Sequence, residues 1–203
     1  MTQAHEIPGF AAVENYMLNN LAANLSPKLS YHNIQHTNNV MDAAMQIAAS
    51  ENISEEERKI LRIAVAFHDS GFLYSYDLHE EKGCELVKEI LPKYGFSPQL
   101  IKLVCQLIMA TQTPQKPKTI LECIICDADL DYLGREGAEA IADNLFEELK
   151  QYSILSTKDE WIKRQIQFLS AHHYFTTFSI KNRESKKQKY FSMLIHKTGG
   201  SIS

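Results

Sequence analysis

"ISEEERKILRIAVAFHDSGF", residues 53–72, decides the fold. Ser54 with Glu57 three positions later is a capping box, in which hydroxyl and carboxylate each satisfy an orphan N–H of a helix start. Ile60, Leu61, Ala64, Val65 and Phe67 then recur at spacings that put them on one helical stripe, and Gly71 ends the pattern. His68 is four positions after Ala64 and seven after Leu61, so it continues that stripe inward. Asp69 follows at the point where the helix breaks. A carboxylate there needs a cation or hydrogen-bond donors if it is buried.

Outward from this segment the pattern repeats. Residues 10–24, 33–50, 78–92, 97–110, 119–130, 136–152, 157–172 and 180–196 carry helical periodicity, and "TQTPQKPKT", residues 111–119, is a proline-rich loop. No stretch alternates as a strand does, and the chain has only 8 glycines. These features predict an all-α bundle, whose site must be built from side chains on facing helices. The tail "KTGGSIS" has the composition of a frayed end.

Composition narrows the function classes. A net charge of −4 supplies no general attraction for nucleic acid, so no stable nucleic-acid binding is expected. The N-terminal "MTQAHEIPGF" lacks a basic region followed by an apolar run, and no segment approaches the roughly 20 apolar residues of a membrane span. A cytoplasmic protein without membrane contact is expected. Of the 4 cysteines, Cys123 and Cys126 form a C-x-x-C inside an apolar helical pattern with no second pair. That reads as buried thiols rather than a zinc or redox site.

Two further stretches join His68 and Asp69. "YHNIQHTNNV", residues 31–40, places His32 and His36 four apart; Val40 and Ala44 continue the row of His36 into an apolar stripe, so His36 points inward. "CDADLDYLG", residues 126–134, holds Asp127, Asp129 and Asp131. Periodicity leaves open which aspartate faces inward, since Asp127 is three after Ile124 and Asp129 four after Ile125. Singly, each histidine also fits a hydrogen-bonded core position, and the acidic cluster a solvated turn. Together, two histidines and two aspartates form a nitrogen and oxygen donor set suited to zinc, manganese, iron or magnesium. Such an ion activates water and polarises a phosphoryl group.

The order His36, His68-Asp69, then an aspartate in "ADL" resembles the HD-domain superfamily of metal-dependent phosphohydrolases, over about residues 28–140. The resemblance implies an orthogonal, phosphodiesterase-like helical bundle: a single domain over 1–203, with its metal-site core at 28–140 and the helices of 141–197 packed on it. It implies His36, His68, Asp69 and Asp129 as ligands of one divalent ion, with Mn, Mg, Zn, Fe and Ni all compatible. Asp127 would stand beside them, orienting a ligand or meeting a sugar hydroxyl. The triplet "YHN" resembles the cyclic-nucleotide phosphodiesterase branch, whose matching histidine is a general acid, and His32 takes that place. His79 and Glu80 stand where a phosphate or catalytic water could be met. Two-metal members carry further histidines, and "LIMATQTP" supplies none.

"HHYFTTFSIKNRESK" also resembles small bacterial HD proteins. Arg183 and Lys187, four apart, could share a face toward phosphate, though such runs are more often a helix's solvated side. Trp161, the sole tryptophan, fits a core anchor. The expected substrate is a small phosphate ester such as a nucleotide, and a homodimer is left open. Two other readings use the same pocket: a sensor that binds metal and nucleotide without turnover, and a cyclic-nucleotide phosphodiesterase. A di-iron oxygenase would need the histidines that are missing.

Overall fold

The computed structural model describes residues 9–199, and among them there is no strand. The helices are α1 (Phe10–Asn24), α2 (Ile34–Ser50), α3 (Glu55–Phe67), α4 (His79–Ile90), α5 (Pro98–Ala110), α6 (Ile120–Asp129), α7 (Ala138–Gln151), α8 (Lys158–Ala171), α9 (Thr177–Asn182) and α10 (Glu184–Lys197). Three short 3-10 turns lie at Ser70–Leu73, Leu91–Tyr94 and Asp131–Gly134. The start signals are local and behave as such. Ser54 and Glu57 form the reciprocal capping box of α3, Thr119 and Glu122 that of α6, and Thr157 and Glu160 that of α8. Asn33 caps α2 by accepting from the N–H groups of Gln35 and His36.

The second half of α3 is buried all round rather than along one stripe. Ile63 and Ala66 are as inaccessible as Leu61, Ala64, Val65 and Phe67. The cause is position: α3 packs against α1, α2, α5 and α6 and forms the axis of the first core. A second apolar core gathers Leu133, Phe146, Trp161, Leu169, Tyr190 and Leu194 from α7, α8, α10 and the turn before them. No described helix is long and apolar enough to cross a membrane.

The helix expected over 180–196 is instead two, α9 and α10, broken at Arg183. Thr176 caps α9 by accepting from the Ser179 N–H, and the Arg183 guanidinium donates to Asp131 at 2.7 Å. Gly134 lets the two segments approach: a Cβ there would overlap the Arg183 backbone. Cys126 is buried, and its thiol donates to the Ala110 carbonyl at 3.0 Å, while Cys123 is half-buried. Residues 200–203 of the tail and 1–8 of the N-terminus lie outside the described residues.

Candidate metal and catalytic site

Three helix ends converge. His36 sits in the first turn of α2, His68 and Asp69 directly follow α3, and Asp129 ends α6. His36 Nε2 lies 3.3 Å from Asp69 Oδ2 and 3.2 Å from Asp129 Oδ1. His68 Nε2 lies 3.2 Å from Asp69 Oδ2 and 3.7 Å from Asp129 Oδ1. The two Nε2 atoms are 3.4 Å apart. His36, His68 and Asp69 are all buried, and their ligand atoms lie within 4.8 Å of one another. Three of the four expected ligands thus form one close group, and Asp129 approaches it through the two histidines.

The donor set fits a cation. His68 Nδ1 sits 2.7 Å from the Val65 carbonyl. This carbonyl accepts only from an N–H, so Nε2 of the neutral ring turns its lone pair into the cluster. Asp69 Oδ2 is buried without a hydrogen-bond partner. Burial opposes charge on His36, yet the adjacent carboxylates of Asp129 and Asp69 outweigh it and raise that imidazole above its usual value. Burial likewise opposes charge on Asp129, and the bonds to His36 and His68 hold it down to about 2. Lone pairs and carboxylates aimed at one point call for positive charge there, and a divalent ion supplies it with ligands of the right class.

His32 and His79 flank this cluster. Both rings stack on Phe72, at centroid distances of 4.4 and 4.1 Å. His79 Nε2 is 3.7 Å from Asp69 Oδ1 and 3.4 Å from Glu80 Oε1. Gly71 permits this, since a Cβ there would overlap the His79 carbonyl. His32 Nδ1 is held by Glu148. The same fully buried carboxylate accepts from the main-chain N–H of Tyr31 at 2.8 Å, that of His32 at 2.9 Å and the Tyr76 hydroxyl at 3.0 Å. Burial would raise the Glu148 carboxyl, but these contacts, His32 foremost, bring it below its usual range.

Glu148 was not singled out from sequence. The signal existed: with Leu145 three before it and Tyr152 four after, it is a carboxylate inside the apolar stripe of α7. Asp127 corrects the expectation in the other direction. Two helix positions span about 200°, so Asp127 and Asp129 point to opposite sides. The Asp127 carboxylate is fully buried and accepts from the N–H groups of Phe175 and Thr176 at 2.9 and 2.8 Å and from the Thr176 hydroxyl at 2.7 Å. It anchors the chain before α9 rather than meeting a ligand. Arg183 and Lys187 are likewise committed elsewhere. Arg183 binds Asp131 and Gln46. Lys187 is 1% exposed, donates to the His172 carbonyl at 2.8 Å and pairs with Glu184 at 3.0 Å.

A cavity of about 300 Å³ opens on Asp69, Asp129, His32 and His79 and runs along the second apolar core.

Residues 33–131 match the HD domain family. The fold is similar to the crystal structure of a predicted HD superfamily hydrolase from an uncultured Thermotogales bacterium, with a TM-score of 0.54 and 24% identity, covering 77% of this chain and 91% of that one. No curated protein matches the chain.

Proposed function

The chain belongs to the HD-domain superfamily, and from that premise we propose that it is a metal-dependent phosphohydrolase acting on a small phosphate ester such as a nucleotide. The observation that carries this reading is the convergence of His36, His68, Asp69 and Asp129 beside a cavity, with a buried carboxylate oxygen of Asp69 left without a donor. A divalent ion held by these four residues would supply Lewis-acid activation of water and neutralise charge on the phosphoryl oxygens.

The remaining roles fall to the chain's own side chains. Glu148 ties His32 Nδ1, so Nε2 is the ring nitrogen left for the cavity, where it carries the proton for the departing alkoxide. The carboxylate also stabilises the imidazolium that donates it. His79, ordered by stacking on Phe72, contacts the phosphate or the attacking water from the Asp69 side.

The test is metal content of the wild type and of the His68→Ala/Asp69→Ala double variant, followed by phosphate release from a panel of phosphate esters. Near-stoichiometric metal lost in the variant, with metal-dependent phosphate release by the wild type, is expected. Equal metal in both proteins overturns the site. Metal lost in the variant, with no turnover of any ester by the wild type, overturns the hydrolase and leaves a metal-binding sensor.

A further inference from the structure

We propose that the ester taken by this site carries a single phosphate on a ring-bearing, apolar alcohol, and that the pocket around Trp161 and Leu149 holds the ring. The inference rests on the phosphohydrolase reading and narrows it to a substrate class.

The cavity beside the metal cluster changes character along its length. At the cluster end stand Asp69, Asp129, His32 and His79; at the other end its walls are Leu145, Leu149, Trp161, Phe168 and Leu169. These come from α7 and α8, outside the residues that match the HD domain. A group placed there meets aromatic faces and leucine methyls, which favour a flat apolar ring.

Charge excludes a longer phosphate chain. Arg164 is the one lysine or arginine among the described residues that line this cavity, and it is exposed. The cations that the sequence offered nearby do not line it and are held elsewhere: Arg183 by Asp131 and Gln46, Lys187 by Glu184 and the His172 carbonyl, and Lys186 by Glu136. Carboxylates, in contrast, are plentiful, with Asp69, Glu80 and Asp129 on the lining and Glu148 behind His32. One divalent ion can balance one phosphate. Second and third phosphates would face this acidic wall with Arg164 as the single guanidinium on the lining to receive them.

The sole tryptophan makes the pocket directly readable, because Trp161 lines it. The purified full chain is titrated with benzylphosphonate, methylphosphonate and inorganic tripolyphosphate while tryptophan fluorescence is followed. These probes share the charged group and differ in the ring and in the number of phosphates. Benzylphosphonate is expected to shift the fluorescence saturably and to bind at least tenfold more tightly than methylphosphonate, with tripolyphosphate weaker than either. Leu145→Gln and Phe168→Ala, both at half-buried positions, should each remove most of the benzyl preference while leaving methylphosphonate binding in place. Equal affinity for the two phosphonates, or tightest binding of tripolyphosphate, overturns the inference. The two readings fail separately. Ring preference without turnover of any ester supports the pocket and sinks the hydrolase. Phosphate release with no ring preference overturns the pocket and leaves the hydrolase standing.

Discussion

The buried carboxylate of Glu148 holds the ring of His32 with Oε1 and accepts from the main-chain N–H groups of Tyr31 and His32 with Oε2. One residue of α7 thus sets both the path of the chain into α2 and the tautomer of the candidate acid. Replacing His32 with Ala is expected to lower kcat about 10²- to 10⁴-fold, the range for loss of a general acid. Glu148→Gln should lower kcat in the same direction, because the amide no longer holds the ring and both main-chain N–H groups as the carboxylate does. Metal content should not change in either. Steady-state rates across pH, with elemental analysis of both variants, check this, and full kcat in His32→Ala would rule out its role.

Asp127 and Asp129 should separate cleanly. Asp129→Asn is expected to lose metal, since Asp129 Oδ1 is 3.2 Å from His36 Nε2. Asp127→Ala should keep the metal yet lose stability by about 2–4 kcal/mol, because it strands two buried N–H groups and a hydroxyl at residues 175 and 176. Urea unfolding and metal analysis on the pair decide it; metal loss in Asp127→Ala with unchanged stability would reverse the assignment.

Metal removal should destabilise the wild type. Each of the two imidazole nitrogens lies 3.2–3.7 Å from each of the two carboxylate oxygens of the site. A ligand at 100 times its dissociation constant contributes about 2.7 kcal/mol. Chelation should therefore lower the Tm of the wild type by several degrees and leave that of Asp69→Ala unmoved, as differential scanning fluorimetry would read. An unchanged wild-type Tm would count against a bound ion.

Stability should fall in mild acid through His172. Burial first, and the Lys187 ammonium second, push this imidazole down to about 4, against about 6.5 in an unfolded chain. Between these values the unfolded state binds a proton that the folded state refuses, so stability rises with pH across the window. The contribution is fully present above about 6.5 and is lost progressively as the pH falls toward 4, on the order of 1–3 kcal/mol. Urea midpoints from pH 4 to 7 should show that slope in the wild type and a flatter one in His172→Gln.

Gly71→Ala should damage both stability and turnover. The added Cβ would overlap the His79 carbonyl, so the turn after Asp69 and the start of α4 must separate. A loss of about 1–3 kcal/mol, typical of an overpacked core, is expected, together with a lower kcat/KM at unchanged metal content. Wild-type values for both would show that His79 need not stay where it is.

By itself the sequence determined nearly every helix and its start, because caps and periodicity act within one or two turns. Ser54 with Glu57 and Thr119 with Glu122 needed no partner from elsewhere. It also determined the four residues of the cluster, through inward rows for His36 and His68 and a resemblance that chose Asp129 over Asp127. Tertiary structure alone decided what those residues meet. His32 and Glu148 are 116 positions apart, and no local pattern links them. The break at Arg183 is set by Asp131, 52 positions away, and so lies outside any helical window. The same holds for charge: Arg183 and Lys187 share a helical row, but ion pairs and burial take both before any phosphate could. Periodicity reports which face of a helix is buried; which groups then compete for each donor and cation is a property of the packed chain.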